Sequence, residues 1–574
     1  MMANKLPKVP VVIVGMGWVG GIIAAELTKA GINVVGLERG KSRSTQDYYH
    51  VHDELRYASR YELMQDLSKE TVTFRNTEKM RALPMRSYGS FLMGDGLGGA
   101  GVHWNGQYYR FLPYDFEIYT KTVERYGKNK IPKDMTIRDW GITYDELEPY
   151  FVKYEQMSGI SGPPELPDHV GHMSKPFATP PMKTTPAMKL FTDAATKLGY
   201  HPYIIPSANL SQDYANPDGI ERAACQYCGF CERFGCECGS KADPVVTVLP
   251  VAQKSGKFEL RTHSNVTEIL HDGKKATGVK YVNTLTGQES VQPADVIVLA
   301  GYVFTNVRLL LLSKLGKPYN PKTEKGSVGR NYAYQVNGAS TSVYYEDREF
   351  NLAMGAGALG SSLDDFNGDN FDHSDLKFIH GANIRFTQTG LRPIQYQPAS
   401  ADTPRWGQAF KQETIHNANR ILGVSGQGAS MPYRYHYLDL DPEYRDSLGL
   451  PLIRLTFDFL EQDRELVKFI AQKTKEIADG MGAAKTTMND TIKQYNIVPY
   501  QSTHNTGGTI MGDDPDTTVV NNYLQMWDAE NVFICGASNF PHNGGYNPTA
   551  TVGALAYRTA EGIEKYIGKG GSLV

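Results

Sequence analysis

The stretch Val11-Val-Ile-Val-Gly15-Met-Gly17-Trp-Val-Gly20 decides the fold class of this chain. Its apolar, mostly β-branched start predicts a buried parallel strand, and its glycines fit the pattern G-x-G-x-x-G. Residues 22–30 have the apolar spacing of a helix, and residues 32–37 predict a second strand that ends at Glu38. An acid about 20 residues beyond the first glycine can accept a hydrogen bond from a ribose hydroxyl. The unit therefore predicts a Rossmann-like α/β domain that binds a dinucleotide, either NAD or FAD.

The residues of this unit have separate physical roles at the nucleotide. Gly15 permits the tight turn, Gly17 lets the backbone approach the pyrophosphate, and Gly20 allows the helix to pack closely on the strand. The helix N-terminus stabilises the phosphate charge through its free N–H groups. The predicted nucleotide-binding residues are Gly15, Gly17, Trp18, Val19, Gly20, Glu38 and Arg39.

The composition sets bounds on the partners of the chain. The 574 residues carry 59 Lys and Arg against 62 Asp and Glu, a formal net charge of -3. Because this balance gives no field of one sign, we expect no nucleic-acid partner. The longest apolar stretch, residues 296–312, is interrupted by Asn306 and Arg308, so we expect no membrane span. Residues 1–10 run directly into the first strand, and we therefore expect no signal peptide.

Five of the six cysteines lie close together, in the pattern C-x2-C-x2-C-x4-C-x-C. They are Cys225, Cys228, Cys231, Cys236 and Cys238. A disulfide framework spreads its pairs along a chain, so this clustering favours a metal centre. Zinc sites use two cysteine pairs separated by a dozen or more residues, a separation that is missing here. An iron–sulfur cluster of the 3Fe–4S or 4Fe–4S type is therefore the leading interpretation. Zinc and free or disulfide-bonded thiols are the alternatives.

Two further segments have residues suited to catalysis. The first, Gly98-Gly-Ala-Gly101-Val-His103-Trp104-Asn105-Gly106, is rich in glycine and too polar for a core. In the second, His504 stands in a glycine-rich loop, and Asn547 precedes a Pro-Thr pair. An imidazole that titrates near neutrality can accept a proton from a bound molecule. An amide can hydrogen-bond an oxygen of that molecule and orient it.

Together these motifs resemble the glucose–methanol–choline (GMC) oxidoreductases, and the likeness extends through the whole chain. The resemblance implies an FAD-dependent oxidoreductase in which His504 is the base and Asn547 is its partner. It implies that the second glycine cluster passes along the isoalloxazine ring, and it makes His103 a candidate for a covalent bond to the flavin. The flavin-binding residues that it adds are Gly98, Gly99, Gly101, His103, Trp104, Asn105, Gly106, Val266, Ala300, Gly301, Asn547 and Thr549.

The cysteines narrow the resemblance to one branch of the family. This branch contains the flavin-bearing large subunits of bacterial gluconate 2-dehydrogenase and fructose dehydrogenase. Residues 52–57, 64–67, 70–74 and 135–141 look most like the gluconate 2-dehydrogenase flavoprotein. Cys228, Cys231 and Cys236 are the best equivalents of the cysteine run of the branch. Cys225 and Cys238 are extra, which leaves the cluster type and its ligands open.

The resemblance also implies a reaction. It is the oxidation of a secondary alcohol on a sugar or sugar acid, with D-gluconate to 2-keto-D-gluconate as the leading case. Electrons would pass through the cluster to a cytochrome c or a quinone. Oxidation of a sugar ring at C3 and an oxygen-using sugar oxidase are alternatives. A non-catalytic flavin-binding electron-transfer module is a further alternative, but it would not need both His504 and Asn547.

The resemblance implies partners and a location as well. The expected partners are a small subunit with a twin-arginine signal and a membrane-bound cytochrome c subunit. Such a complex would lie on the periplasmic side of the bacterial inner membrane, and a cytoplasmic enzyme is the alternative.

The expected architecture is α/β, with a Rossmann-like FAD-binding domain and a mixed-sheet α+β substrate domain, as in the GMC oxidoreductases. Residues 1–334 are predicted to form the FAD-binding domain, which includes the cysteine segment 225–238. Residues 335–500 are predicted to form the substrate domain. Residues 501–574 are predicted to return to the FAD domain with His504 and Asn547.

Overall fold

A computed structural model describes residues 4–48, 52–87, 90–394, 396, 398–400 and 402–574. Its strands, in chain order, are β1 Asn4–Lys5, β2 Val9–Val14, β3 Val34–Leu37, β4 Val72–Arg75, β5 Leu83–Pro84, β6 Tyr203–Ile204, β7 Tyr214–Ala215, β8 Glu221–Arg222, β9 Phe258–Arg261, β10 Ser264–His271, β11 Ala276–Asn283, β12 Glu289–Leu299, β13 Ala333–Tyr334, β14 Ser340–Tyr344, β15 Gly360–Leu363, β16 Ala382–Thr387, β17 Ile421–Gly428, β18 Tyr437–Arg445, β19 Pro451–Thr456, β20 Lys485–Asn489, β21 Asn505–Thr506 and β22 Val532–Ile534. Its α-helices are α1 Trp18–Lys29, α2 Pro113–Phe116, α3 Ile118–Tyr126, α4 Tyr144–Ser158, α5 Pro186–Lys197, α6 Val248–Lys254, α7 Val303–Leu312, α8 Gln408–Asn417, α9 Glu461–Asp479 and α10 Thr549–Lys569.

The main sheet is built around β2, whose residues from Val11 to Val14 are buried. Its strand order is β10-β11-β12-β2-β3-β9, and β1 and β22 also pair with β12. Strands β12, β2, β3 and β9 are parallel to one another, and β22 is parallel to β12. Strands that are buried on both faces must be apolar throughout, which is why the run from Val11 is uninterrupted. The predicted Rossmann-like sheet is confirmed.

Three helices connect the two ends of the chain. Helix α10 packs against both α1 and α4. Gly553 makes the close approach to α4 possible, because a Cβ at this position would lie 2.2 Å from the ring of Tyr154. The C-terminal helix is thereby fixed beside the first helix of the nucleotide unit. None of the helices in the described part of the chain is long and apolar enough to cross a membrane.

A second sheet has six strands in the order β20-β14-β17-β16-β15-β6, and every pair in it is antiparallel. Helix α9 covers one face of this sheet, where Leu466, Val467 and Ile470 are buried. The mixed pairing occurs in a separate sheet with the order β18-β19-β4-β5, in which β19 is parallel to β4 and the other pairs are antiparallel.

Residues 335–500 contribute strands to both of these sheets. Each sheet also takes strands from earlier in the chain, since β6 joins the first sheet and β4 and β5 join the second. The three-part division of the chain at residues 334 and 500 stays a prediction.

Candidate active site

A cavity of about 540 Å³ lies at the carboxyl ends of the parallel strands of the main sheet. Val14 of β2, Leu37 of β3 and Ala300 just beyond β12 line it on this side. Open α/β sheets bind their ligands in the crevice at this edge. Arg385 of β16 and Gln427 of β17 line the cavity as well, so the antiparallel sheet supplies another part of its wall.

Most of the predicted site residues line this single cavity. They are Gly15, Gly17, Trp18, Val19, Glu38, Arg39, Gly99, Gly101, His103, Trp104, Asn105, Val266, Ala300, Gly301, His504, Asn547 and Thr549. The fold therefore brings together the nucleotide motif, the second glycine cluster and the C-terminal pair, although the pair lies far from both glycine motifs in the sequence.

Gly20, Gly98 and Gly106 do not line the cavity, although the sequence predicted that they contact the cofactor. Two of them lie against protein instead. A Cβ at Gly20 would lie 2.0 Å from the carbonyl oxygen of Gly15, and a Cβ at Gly98 would lie 2.6 Å from the side chain of Val102. Gly106 has a φ of +88°, which favours glycine. These glycines permit the turns and the close packing that shape the cavity.

Glu38 is held at the end of β3 by two backbone N–H groups. Met16 N–H donates to Oε2 at 3.1 Å, and Gly40 N–H donates to Oε1 at 3.0 Å. Glu38 is 6% exposed, and burial raises the pKa of its carboxyl group. Because each oxygen has a second lone pair, the group can still accept a hydrogen bond from a ribose hydroxyl.

The N-terminus of helix α1 is open to an anion. Gly17 is the N-cap residue, and no side chain caps the first turn. The free N–H groups and the helix dipole stabilise a negative charge at this position. A Cβ on Gly17 would have its nearest neighbours at 3.8 and 3.9 Å, so there is space above the turn. Gly15 has a φ of +94°, and a Cβ there would lie 2.7 Å from the carbonyl oxygen of Ala300. The turn fits the pyrophosphate of a dinucleotide.

Gln335 holds His504 in one tautomer. The Nε2 atom of Gln335 donates to the carbonyl groups of Tyr546 at 2.9 Å and Gly544 at 3.4 Å, so its Oε1 atom must be an acceptor. This oxygen accepts the Nδ1–H of His504. The Nε2 lone pair of His504 is therefore available to a ligand. Burial, together with the positive charge of Arg385, lowers the pKa of His504 to about 3, so the imidazole is neutral at physiological pH.

Asn547 has a fixed orientation in the same cavity. Its Oδ1 atom accepts one hydrogen bond from Gln427 Nε2 at 3.0 Å and another from Arg385 Nη1 at 3.1 Å. None of the hydrogen bonds among the described residues uses its Nδ2 atom. The amide can therefore donate an N–H to a ligand oxygen, and the imidazole of His504, which lines the same cavity, can accept a proton from that ligand.

His103 lines the cavity and has a buried ring nitrogen, Nε2, without a hydrogen-bond partner in the described part of the chain. Burial, together with the nearby charges of Lys241 and Arg43, lowers the pKa of His103 to about 3. A buried polar atom without a partner costs about 1–3 kcal/mol. The position therefore fits a group that contacts or bonds to His103 from the cavity.

The cysteine segment lies next to the second glycine cluster. The Nζ atom of Lys241 donates to the carbonyl groups of Trp104 and Cys231, both at 2.7 Å. The backbone N–H of Arg233 donates to the carbonyl group of His103, also at 2.7 Å. The five clustered cysteines do not line the cavity themselves, but two of these contacts fix their segment to residues that do.

The spacing of the cysteine sulphurs differs from that of a zinc site. The amide of Asn209 contacts Cys225 Sγ at 3.7 Å and Cys231 Sγ at 3.6 Å. No three of the five sulphurs, all of which are described, lie within 4.8 Å of one another. Tetrahedral zinc with Zn–S bonds of about 2.3 Å would hold its thiolates about 3.8 Å apart. Cys238 is exposed, whereas Cys231 is buried. This arrangement does not match a compact site for one ion.

A buried Asp–His–His cluster lies beside the loop that leads to α10. Asp115 Oδ1 accepts the Nε2–H of His380 at 2.7 Å and that of His542 at 2.9 Å. The Nδ1 atoms of both histidines also have partners: Trp140 donates to that of His542, and Gly381 donates to that of His380. A metal on Nε2 would require each Nδ1 to carry a hydrogen and face these donors. The cluster is therefore a hydrogen-bonded network, and its donors disfavour a metal.

The residues that hold His504 and Asn547 in place were not predicted from the sequence. In β16, the polar residues Asn383 and Arg385 alternate with Ile384 and Phe386, which places the polar side chains on one face of the strand. This alternation was visible in the sequence. It predicts an amphipathic strand, but it does not reveal which site the polar face meets.

Comparisons with known proteins identify the family of this chain. A family model described as GMC oxidoreductase matches residues 433–556. A gluconate 2-dehydrogenase flavoprotein of Pantoea cypripedii is 42% identical over 601 residues, which cover 100% of this chain and 96% of the relative. A fructose dehydrogenase large subunit of Gluconobacter japonicus is 24% identical, with 98% of this chain and 99% of the relative covered.

The fold also has counterparts among solved structures. Pyridoxine 4-oxidase from Mesorbium loti superimposes with a TM-score of 0.60 at 16% identity, over 97% of this chain and 99% of the other. This similarity concerns the fold alone, whereas the 42% identity over the full length concerns the family. The chain therefore belongs to the GMC oxidoreductases, a family of FAD-dependent enzymes, and to its gluconate 2-dehydrogenase branch.

Proposed function

We propose that this enzyme oxidises a secondary alcohol of a sugar or sugar acid, and that its substrate is D-gluconate, which becomes 2-keto-D-gluconate. One observation carries the proposal. His504 and Asn547 line the cavity that also contains the dinucleotide motif, and within the described residues His504 Nε2 and Asn547 Nδ2 make no hydrogen bond. The relative from Pantoea cypripedii, a gluconate 2-dehydrogenase flavoprotein, supports this choice of substrate.

His504 and Asn547 would have different roles in the reaction. FAD, when bound, supplies the acceptor that takes a hydride from the substrate carbon. His504 accepts the hydroxyl proton at Nε2, while its Nδ1–H bond to Gln335 keeps the ring in the tautomer that has this lone pair. Asn547 donates to the hydroxyl oxygen, which orients the C–H bond that breaks.

FAD would be held by the residues at the end of β3 and in the turn between β2 and α1. Glu38 would bind the ribose, and Gly15 and Gly17 would admit the pyrophosphate to the N-terminus of α1. A covalent bond from His103 Nε2 to the 8α-methyl carbon of the flavin is part of the proposal, because this nitrogen has no hydrogen-bond partner within the described residues. Formation of the bond would break a C–H bond of the methyl group and leave the two electrons on the flavin ring, from which the electron acceptor of the enzyme would remove them. Acid precipitation tests this bond. Flavin that stays with the pellet, and that His103→Ala releases, is expected, whereas free flavin from the wild type would contradict the bond.

The proposal includes an iron–sulfur cluster in the cysteine segment 225–238. Such a cluster would carry electrons one at a time from the flavin to a cytochrome c or a quinone. The contacts of this segment with His103 and Trp104, which line the cavity, support a redox group close to the flavin. Analysis of the purified protein should find iron and acid-labile sulfide. Zinc in their place would contradict this part of the proposal.

The proposal also includes partner subunits. The relative from Gluconobacter japonicus is a large subunit by name, which supports assembly with other chains. The proposed partners are a small subunit with a twin-arginine signal and a membrane-bound cytochrome c subunit, on the periplasmic side of the inner membrane. Fractionation of the source cells tests this location. Dehydrogenase activity is expected on the outer face of the membrane, and activity confined to the soluble cytoplasm would contradict it.

The reaction is tested by an anaerobic absorbance titration of the flavin-loaded protein with D-gluconate, methyl α-D-glucoside and D-fructose. Bleaching of the flavin by gluconate alone is the expected result, and His504→Ala should abolish it while retaining flavin. Bleaching by the glucoside would instead indicate oxidation of a sugar ring at C3. Fast reoxidation of the bleached flavin by oxygen would indicate an oxidase.

A further inference from the structure

Arg385 brings a positive charge into the wall of the active-site cavity. Its Nη1 atom donates to Gln107 Oε1 at 2.5 Å and to Asn547 Oδ1 at 3.1 Å, and its Nη2 atom donates to Gln427 Oε1. All three partners are neutral amides. Within the described part of the chain, Arg385 forms no ion pair within 4.0 Å.

Asp364 is an acid two residues beyond the strand partner of Arg385. It does not neutralise the positive charge of Arg385. It follows β15, in which Ser362 is paired with Arg385. Its carboxylate oxygens accept hydrogen bonds from Tyr203 and Asn383, and burial raises its pKa, which disfavours the charged form. A cation that faces a partly closed cavity without a counter-ion is unfavourable. Arg385 is therefore suited to an anion that enters the cavity.

The guanidinium group has donors left for such an anion. Arginine carries five N–H groups, and the hydrogen bonds to the three amides use three of them. The hydroxyl group of Tyr109 also lies within hydrogen-bonding reach of the guanidinium group. This acceptor is neutral, so a carboxylate that enters the cavity can replace it. Arginine binds a carboxylate through two parallel N–H···O bonds, which are shorter and stronger than bonds between neutral groups. A carboxylate is therefore the anion that fits best.

We propose that Arg385 binds the carboxylate of an α-hydroxy acid substrate and so selects the carbon that is oxidised, an inference that rests on the proposed function. Arg385 donates to Asn547, the amide assigned to the substrate hydroxyl. The carboxylate and the reacting hydroxyl must therefore lie next to each other on the substrate. In an aldonate such as D-gluconate, the hydroxyl at C2 is the one on the carbon adjacent to the carboxylate. A neutral glycoside would leave the cation unpaired.

The test compares D-gluconate with D-glucitol, a neutral polyol with the same number of carbons. The measured quantity is the ratio of the second-order rate constants for anaerobic flavin reduction, gluconate over glucitol. Arg385→Gln should lower this ratio by about 10- to 100-fold, the effect of losing a charge-assisted hydrogen-bond pair. Arg385→Lys keeps the positive charge but loses the two parallel N–H donors, so an intermediate ratio is expected.

Arg454→Gln is the matched control, because Arg454 is also on a strand but pairs with Asp439 at 2.5 Å and does not line the cavity. It should leave the ratio unchanged. Calorimetric titration with 2-keto-D-gluconate gives a readout that does not depend on turnover, and Arg385→Gln should weaken this binding by a similar factor. Retained flavin content and circular dichroism establish that each variant is folded.

The outcomes separate this inference from the proposed function. If Arg385 only orients Asn547, Arg385→Gln slows both substrates equally and leaves the ratio unchanged, which overturns the inference but not the reaction. If gluconate does not bleach the wild-type flavin, the proposed function fails. Calorimetry with D-gluconate then decides whether Arg385 is a carboxylate site, since equal binding by the wild type and Arg385→Gln would contradict it.

Discussion

At the scale of single residues, Gln335 determines which nitrogen of His504, the proposed base, can accept a proton. Replacing it with methionine keeps the length of the side chain but removes the acceptor of the Nδ1–H bond. The imidazole can then rotate or change tautomer, so we expect Gln335→Met to slow flavin reduction by gluconate by roughly 10- to 100-fold. Stopped-flow absorbance under anaerobic conditions measures this rate, and the flavin content should be unchanged.

Gln462 offers a control for the loss of two buried hydrogen bonds. It donates to the carbonyl group of Ile379 at 2.9 Å and accepts from the N–H of the same residue at 3.0 Å, and it does not line the cavity. Gln462→Met should therefore destabilise the fold without a change in the reduction rate. If it slows reduction as much as Gln335→Met does, the loss reflects general loosening and not the tautomer of His504.

Arg385 also affects the pH range over which His504 is a base. Burial, and after it the charge of Arg385, lowers the pKa of His504 to about 3. Because the neutral imidazole accepts the proton, the reduction rate with neutral D-glucitol should be flat from about pH 5 to pH 8 in the wild type. Removal of the positive charge in Arg385→Gln raises the pKa of His504. The rate should then begin to fall at a higher pH as the solution is acidified.

Stopped-flow reduction by D-glucitol between pH 4 and pH 8 measures this change. The neutral polyol is used because a substrate carboxylate would itself alter the charge beside His504. Arg454→Gln again serves as the control and should have the wild-type profile. Identical acid limbs for Arg385→Gln and the wild type would mean that the charge of Arg385 does not reach the imidazole.

At the scale of elements, the turn between β2 and α1 separates two effects of glycine. Gly15 and Gly31 both have positive φ, at +94° and +82°, but only Gly15 is also crowded, by Ala300. Alanine at either position should cost about 1–2 kcal/mol of stability through backbone strain. Gly15→Ala should in addition displace the turn that admits the pyrophosphate, so the purified protein should lose most of its flavin. Gly31→Ala should keep it.

Flavin absorbance relative to protein absorbance, together with urea unfolding midpoints, measures both effects. Equal flavin content in the two variants would show that the turn tolerates displacement and that contact with Ala300 is not needed for binding. A loss of flavin in Gly31→Ala would point to a general effect of strain at the ends of α1.

The elements with a strong local pattern could be predicted from sequence, and those that depend on distant partners could not. The apolar spacing predicts a helix over residues 461–481, and α9 spans Glu461–Asp479. Residues 39–119 read as loop-rich, yet β4 lies among them and pairs with β19, which is far away in sequence. A short strand has little pattern of its own, and its pairing partner is not visible in the linear sequence.

Some residues of the candidate site could likewise be predicted from the sequence, and others could not. His504 and Asn547 could be predicted because each stands in a short motif whose residues are adjacent. Gln335, Gln427 and Arg385 could not, because each is a single polar residue that the fold brings to the pair from a separate element. Charge and alternation alone do not distinguish such a residue from one on a solvated face.

At the scale of the whole molecule, the cavity depends on contacts that join distant parts of the chain. The buried Asp115 connects three of them, since His380 precedes β16 and His542 lies in the loop that leads to α10. Burial by itself would raise the pKa of Asp115, but the bonds to the two histidines hold it below its usual value. The carboxylate is therefore charged at neutral pH and fixes the approach of the antiparallel sheet to the loop that carries Asn547.

The substitution Asp115→Asn tests whether these hydrogen bonds hold the distant segments together. The amide oxygen can keep accepting from both histidines, but its NH2 group then faces the N–H of Leu112, which donates to Asp115 Oδ2 at 2.8 Å in the wild type. An unpaired buried donor costs about 1–3 kcal/mol, so the urea midpoint should fall accordingly. Asp139→Asn is the control, because Asp139 accepts from the N–H of Tyr119 but is only half-buried. It should lose less stability.

The pH dependence of stability distinguishes a contribution from the charge of Asp115 from a contribution of packing alone. Asp115 has a folded pKa below the unfolded value of about 3.9, so its ionic contribution is complete above that pH and is lost only as the pH falls through the lower folded pKa. The stability gap between the wild type and Asp115→Asn should therefore persist at pH 5 and should narrow below about pH 4. A gap that stays constant at every pH would mean that the two side chains differ in packing alone. Packing around residue 115 would then hold the loop that carries Asn547, and the negative charge of Asp115 would not contribute.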